Sequence, residues 1–176
     1  MPGGIQPGMC ATDALARSLD ESCKYQTTKV YSILHAIYGD DLVCQSSLRK
    51  EQIPGNIGAC VPDGGLWFYK GTLIATFEGK KQQDRGNAIE RWFKNNFICR
   101  MINKDISYVT FACGEGAHIN GTIGKSLNVA HLSGFNQYNP GENSCFMQPE
   151  GFDRDFIADT MIEVIEERIN WLTNQQ

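Results

Sequence analysis

At 176 residues, with 41% hydrophobic and 20% charged side chains, the chain can bury one sizeable core and has the composition of an ordinary soluble globular protein. Its formal net charge of −4 argues against a nucleic-acid partner for the molecule as a whole, and no apolar run approaches the length of a membrane span. Local charge reverses the first exclusion: between Lys80 and Lys104 seven basic residues face two acidic ones, Asp84 and Glu90, while from Glu150 to Gln176 seven acidic residues outnumber Arg154 and Arg168. A chain that concentrates positive charge in one stretch can still present a basic groove to phosphate.

Repeats, low-complexity tracts and long linkers are missing, so residues 1–176 read as a single domain. The cysteines (Cys10, Cys23, Cys44, Cys60, Cys99, Cys113 and Cys145) are odd in number and contain no Cys-x-x-Cys pair, which speaks against a disulfide framework and against a zinc site. Reduced, mostly buried thiols in a cytoplasmic protein are the expectation. Met1 to Met9 lacks the charged-then-apolar pattern of a signal peptide, and its Pro and Gly content suggests a flexible or draped arm.

In chain order, Thr12-Asp13 caps a predicted helix to about Cys23, with Leu15 and Leu19 at i, i+4 spacing. A second predicted helix runs from about Thr27 to Tyr38, with Val30, Ile33, Leu34 and Ile37 on one stripe and Gly39 as its stop. His35 within it reads as a packed or half-exposed histidine rather than a ligand. Leu42 to Leu48 reads as a short strand, and Ile53 to Gly58 as a turn region.

Leu66 to Tyr69 and Thr72 to Phe77 are aromatic, β-branched and aliphatic, with Lys70-Gly71 between them, which predicts a hairpin whose two-residue turn uses the conformational freedom of Gly71. Pairing Tyr69 with Thr72 and extending the ladder sets Asp63 opposite Glu78. Directly opposed residues lie roughly 4.5–5.5 Å apart at Cα, so two carboxylates there repel unless a cation sits between them. Strand alternation sends Lys80 to the face of Glu78 and Gly79 away from it. Two carboxylates and an ammonium at one hairpin mouth suit Mg²⁺, which keeps several waters and binds one or two carboxylates plus substrate phosphate. The chemistry this suggests is metal-assisted phosphodiester hydrolysis; the competing reading is a surface hairpin with scattered charges.

Asn87 opens a third predicted helix, to about Asn103, on which Asn87, Glu90, Arg91 and Lys94 form one polar face and Ile89, Phe93, Phe97 and Met101 an apolar stripe. The polar face fits either a solvated surface with an Asn cap or a base-reading edge, because asparagine pairs bidentately with adenine and arginine with a base edge or phosphate. The helix N-terminus also favours a nearby phosphate. Ile106 to Cys113 reads as a core strand, so hairpin, helix and strand in succession predict an α/β fold with a mixed central β-sheet flanked by helices. Gly114 to Gly134 is loop-rich, with His118 and His131 as ordinary loop histidines. Gly121 to Ser126 imitates a phosphate-binding loop, but the glycine that motif needs is Ile119, which excludes an NTPase. Asn139-Pro140-Gly141 is a turn and Ser144 to Gln148 a short strand. Phe152 to Thr173 reads as a long amphipathic helix whose apolar face is Phe152, Phe156, Ile157, Met161, Val164, Ile165, Ile169 and Leu172.

Pro62-Asp63 followed by Glu78-x-Lys80 resembles the signature of the PD-(D/E)xK nucleases. Gly86-Asn87-Ala88-Ile89-Glu90-Arg91 resembles the adenine-reading segment of the EcoRI and MunI type II restriction endonucleases, and Asp63-Gly64-Gly65 resembles the surroundings of the catalytic aspartate in that group. The likeness covers roughly Val61 to Cys113, with weaker echoes near Cys145-Phe146-Met147. It implies a restriction-endonuclease-like PD-(D/E)xK core acting on double-stranded DNA with Mg²⁺. Asp63, Glu78 and the Gly79 carbonyl would bind the metal, and Lys80 would orient the attacking water. Asn87, Ala88, Glu90 and Arg91 would read adenines, with Gln82, Gln83, Arg85, Gly86 and Lys94 also on the DNA side. The chain departs from the family pattern at Gly79, where larger residues are more usual.

Two functional classes follow. One is a homodimeric type II restriction endonuclease, since a palindrome has two equivalent strands and each subunit supplies one active site; the site implied contains AATT, with a four-base 5′ overhang. The other is a DNA-binding or repair-type relative that keeps the fold without site-specific cleavage, which intact Asp63, Glu78 and Lys80 argue against.

Overall fold

The computed structural model describes residues 26–81, 87–113, 143–147 and 152–175. The helix expected between Thr12 and Cys23 and the loop Gly114 to Gly134 fall outside these residues, as do Gln82, Gln83, Arg85 and Gly86.

Helix α1 is continuous through 26–38, where Gly39 takes a positive φ of 64° and a short 3-10 turn, Gly39–Asp41, delivers the chain into strand β1, Leu42–Gln45. Val30 and Leu34 are buried as expected, but Ile33 and Ile37 are exposed. The helix is rolled so that Tyr31 and Tyr38 flank the buried row and pack on the core, which leaves the other edge of the apolar stripe in solvent. The expected strand to Leu48 stops at Gln45, and two 3-10 turns, Lys50–Gln52 and Pro54–Asn56, fill the expected turn region.

Strands β2, Leu66–Tyr69, and β3, Thr72–Lys81, form the expected hairpin. Lys70 and Gly71 have φ of 48° and 81°, the paired positive values of a type I′ turn whose twist matches that of its strands. Helix α2 is Asn87–Ile102, strand β4 Ser107–Cys113, strand β5 Asn143–Met147 and helix α3 Arg154–Asn174. The Asp153 carboxylate caps α3 by accepting from Asp155 N at 2.8 Å. At the exit of α2, Asn103 turns the chain by donating to Leu73 O at 2.8 Å and accepting from Asp105 N at 3.1 Å.

The five strands run in the order β1-β2-β3-β4-β5. β1, β2 and β3 pair antiparallel, whereas β3, β4 and β5 pair parallel, so the sheet is mixed and the fold is α/β. One face carries α1 and α3, with Leu34, Trp67, Phe77, Phe111, Met161 and Ile165 in one core cluster. The other carries α2, with Leu66, Leu73, Trp92, Ile98 and Tyr108 in a second. The apolar face expected on α3 is the one found: Ile157, Met161, Val164, Ile165 and Ile169 are buried, and Phe152, Phe156 and Leu172 pack at its margin.

The expected register of the hairpin requires correction. Tyr69 pairs with Thr72 and Phe68 with Leu73, but Trp67 then pairs with Ala75 and Leu66 with Thr76, so β3 holds one extra residue, Ile74. Leu73 belongs to the α2-side cluster, and Ile74 and Ala75 both belong to the α3-side cluster. This β-bulge inverts the alternation beyond it: Phe77 packs toward α3 and Glu78 turns toward α2. Had side chains alternated without a break through Ile74, Glu78 would share the face of Ile74. Bulges of this kind re-aim side chains next to functional sites.

Candidate active site

β3 outruns β2. Its residues Glu78 to Lys81 pair with β4 on one edge, Glu78 with Thr110 and Gly79 with Phe111, after the antiparallel ladder to β2 has ended at Thr76. The other edge is met by the turn Pro62 to Gly65. Gly64 N donates to Phe77 O at 2.9 Å, and Gly79 N donates to Asp63 Oδ2 at 3.0 Å. Asp63 is therefore not the Cα partner of Glu78. It lies in a turn before β2, and its carboxylate supplies the acceptor that a longer β2 would have offered to Gly79.

The Asp63-Gly64-Gly65 sequence has a steric cause. A Cβ on Gly64 would lie 2.5 Å from the Phe77 Cβ, and one on Gly65, which has a φ of +80°, would lie 2.6 Å from Cys44 Sγ. The turn is then tied down from both strands: Trp67 Nε1 donates to Gly64 O at 2.9 Å and Thr76 Oγ1 to Gly65 O at 2.7 Å. These bonds fix the half-buried Asp63 against β3. A cavity of about 450 Å³ opens beside it, lined by Tyr31, Cys44, Ser46, Pro62 and Asp63 among others.

Glu78 is 2% exposed, an unusual place for a carboxylate. Its Oε1 accepts from Asn95 Nδ2 at 2.8 Å and from Tyr108 OH at 3.1 Å. Burial, and after it the nearby Glu78 carboxylate, pushes the Tyr108 phenol well above its ordinary pKa, so at neutral pH it is a donor. The Tyr108 ring meets Trp92 edge-on at 5.6 Å, and Trp92 Nε1 donates to Thr110 Oγ1 at 2.7 Å, which continues the polar seam between α2 and β4. Below it, Cys60 and Cys99 are free thiols with sulfurs 3.8 Å apart.

The structure thus brings the Asp63 carboxylate to the Gly79 backbone, next in chain to Glu78, with Lys80 following along β3, Cα-paired to Ala112. Glu90, Arg91 and Lys94 are exposed on α2. Asn87 and Ala88 open that helix, but their side chains, like that of Lys80, are outside the described residues. The apolar stripe expected on α2 faces outward, with Phe93 42%, Phe97 59% and Met101 50% exposed. The buried face is instead Trp92, Asn95, Asn96, Ile98 and Cys99.

Asn95 and Tyr108 are the site residues that sequence reasoning missed. A signal existed for the first: the pair Asn95-Asn96 interrupts an otherwise apolar inward face, and buried amides need partners. Tyr108 had none, since a tyrosine in a core strand reads as packing. Among the described residues no group of three or more His, Cys, Asp or Glu side chains is placed to hold a metal ion. Any metal here would rest on two carboxylates and main-chain oxygen. Among the described residues no helix is long and apolar enough to cross a membrane. No protein-family model, curated protein or solved structure matches the chain.

Proposed function

We propose that this chain is a Mg²⁺-dependent endonuclease that hydrolyses double-stranded DNA, built on a PD-(D/E)xK core and acting as a homodimer at a palindrome containing AATT. One observation carries the reading: the hydrogen bond from Gly79 N to Asp63 Oδ2 draws a second carboxylate to the strand segment that holds Glu78, one residue away. Two more features support it. The mixed sheet with α2 on one face and α1 and α3 on the other is compatible with that core. The next element after the site begins at Asn87, inside the segment that resembles an adenine reader.

The residues fit Mg²⁺. Carboxylate and carbonyl oxygens are hard donors, and a two-carboxylate site leaves room for the waters this ion retains. A half-exposed Asp63 beside a buried, doubly bonded Glu78 gives one ligand that can adjust and one that cannot. When bound, Mg²⁺ would supply Lewis-acid polarisation of a phosphoryl oxygen. Asp63, Glu78 and the Gly79 carbonyl would hold it. Lys80 would orient the attacking water, and Arg91 and Lys94 would fix the DNA backbone while Asn87 and Glu90 meet base edges in the major groove.

The test uses plasmid DNA of mixed sequence with Mg²⁺. Discrete fragments are expected from the wild-type chain. Glu78→Gln and Lys80→Ala should abolish cutting while leaving specific DNA binding in a gel-shift assay largely intact. Ca²⁺ in place of Mg²⁺ should support binding with little cutting, because it accepts longer, irregular oxygen shells. Full cleavage by the Lys80 variant would overturn the mechanistic assignment, and specific binding without cleavage by the wild type would favour the non-catalytic DNA-binding reading.

A further inference from the structure

We propose that Cys60 and Cys99 are a redox switch: oxidised to a disulfide, they pull the turn that carries Asp63 toward α2 and stop the proposed cleavage. Formation of the bond stands on the thiol geometry alone, and its effect on cutting rests on the proposed nuclease reading.

The two sulfurs lie 3.8 Å apart, in contact although 39 residues separate them in sequence. Both are free thiols, fully buried in the cluster between α2 and the sheet. A disulfide is roughly 2.0 Å long, so oxidation must draw the sulfurs together by about 1.8 Å. Rotation of the side chains supplies part of that approach and backbone movement the rest. Cys99 is set inside a helix. Cys60 lies in a stretch without regular structure, where its carbonyl accepts from Leu48 N at 3.2 Å and nearby Gly58 has a φ of 124°. The Cys60 stretch is the one that yields.

That stretch leads directly into the site. Cys60 precedes Asp63 by three residues, with Pro62 between them, and Asp63 accepts from Gly79 N at 3.0 Å. Cys99 lies about one helical turn beyond Asn95, which donates to Glu78 Oε1 at 2.8 Å. The thiol pair therefore spans the two segments that hold the two carboxylates. Misplacing a reacting group by about 1 Å can cost about 100-fold in rate, so a pull of this size on the Asp63 turn is enough to stop the chemistry.

The oxidant is a small-molecule disulfide. When the Cys60 stretch lifts from the core, its thiolate attacks one sulfur of that disulfide and releases a first small thiol. The Cys99 sulfur then attacks Cys60 Sγ, a second small thiol leaves, and the Cys60–Cys99 bond closes. The two protein thiols give up two electrons and two protons, which the oxidant carries away as two thiols. While the stretch is seated, the hydrogen bond to Cys60, with burial after it, raises the Cys99 pKa and keeps the pair unreactive. Where the surroundings hold thiols reduced, disulfides are mainly of this transient, redox-sensing kind.

The experiment incubates the full chain, first reduced and freed of reductant, with oxidised glutathione and maps its peptides by mass spectrometry without reduction. A linked Cys60–Cys99 peptide, two hydrogens lighter than its separate parts, is expected. Cys99→Ala should instead retain glutathione on Cys60, and Cys60→Ala should leave Cys99 unmodified. In the plasmid assay with Mg²⁺ the linked protein should cut roughly 100-fold more slowly than the reduced one. Dithiothreitol should restore the rate, and Cys60→Ala should keep its reduced rate in oxidised glutathione. A pair still reduced after the wild type has equilibrated with the oxidant would overturn the proposal. So would a linked protein that cuts as fast as the reduced one. Failure of the nuclease reading has a different signature: the reduced protein would not cut, while the linked peptide would still form and uphold the thiol pair.

Discussion

Asp63 owes its position to the two residues that follow it. Gly64 and Gly65 let the turn lie against β3 and β1 with no room for a side chain, and the turn's carbonyls are then bonded by Trp67 and Thr76. Gly64→Ala places a methyl group 2.5 Å from the Phe77 Cβ, and its relief must move either β3 or the turn. We expect a loss of about 1–3 kcal/mol, the usual cost of overpacking a tight site, measured by urea denaturation. Cleavage should fall further than stability alone accounts for, since Asp63 moves with the turn. The buried thiols make a second residue-level prediction. Burial raises the Cys44 thiol to about 12, and the hydrogen bond to Cys60, with burial after it, raises Cys99 as well. A raised folded-state pKa means that the unfolded chain loses its protons first, so the contribution is complete below the ordinary thiol range and is lost as pH rises through it. For Cys44 the window runs from the ordinary 9.0 to about 12. Unfolding free energy should thus be flat from neutrality to about pH 8 and decline beyond it. Cys44→Ala should show a shallower decline in the same pH series.

At the scale of elements, the site depends on one inserted residue and one buried cation tests the packing of α3. Ile74 and Ala75 share a face at the bulge, so Glu78 meets α2 where unbroken alternation along β3 would aim it at α3. On α3, Arg168 is buried, donating to Asp105 O at 2.7 Å and lying 4.4 Å from the centre of the Trp171 ring. Among the described residues its Nε and Nη1 lack hydrogen-bond partners, and burial lowers its pKa. A buried charge with unpaired donors is costly, and replacing it by an apolar side chain of similar length is often neutral or stabilising. Arg168→Met should leave the melting temperature unchanged or raise it, whereas Arg168→Ala, which also opens a cavity, should lower it. A clear drop for Arg168→Met would mean that the Asp105 bond and the Trp171 contact outweigh the two unpaired donors.

Across the whole molecule, charge and chain length bear on what DNA the proposed nuclease would reach. Basic residues cluster from Lys80 to Lys104 in the sequence, and α3, which carries most of the C-terminal acidic ones, packs on the opposite face of the sheet from α2. β3 continues through Lys81 and α2 starts at Asn87, so the link between the site and the candidate base reader is residues 82–86 alone. Five residues span at most about 18 Å when extended and must also turn from strand to helix. Little chain remains to touch an outer base pair, although Gln82 and Gln83 could help read adenine. We therefore expect recognition of AATT alone, with cleavage on its 5′ side and a four-base 5′ overhang. Sequencing the ends of digested genomic DNA checks this, and a fixed base flanking AATT at every cut would show that another segment, such as Gly114 to Gly134, supplies an outer contact.

What the sequence by itself determined are the features written in local pattern. The type I′ hairpin at Lys70-Gly71, helix α2 from Asn87, the strand after it and the apolar face of α3 all follow from turn chemistry and periodicity, which need no knowledge of distant neighbours. The sequence also singled out Asp63 and the Glu78-Gly79-Lys80 stretch, but the ladder it implied set Asp63 opposite Glu78, whereas Asp63 lies in the turn before β2 and accepts from Gly79 N. The tertiary structure decided the rest. Leu73, Ile74 and Ala75 are all apolar, so alternation could not reveal which of them is the bulge, and the one-residue register change that aims Glu78 was invisible. Periodicity found an apolar stripe on α2 and on α1 but could not say which way either helix rolls onto the sheet. Those rolls expose Phe97 on α2 and Ile37 on α1, and on α2 they bury Asn95 against Glu78, a partner seventeen residues earlier that hydrophobicity alone does not see.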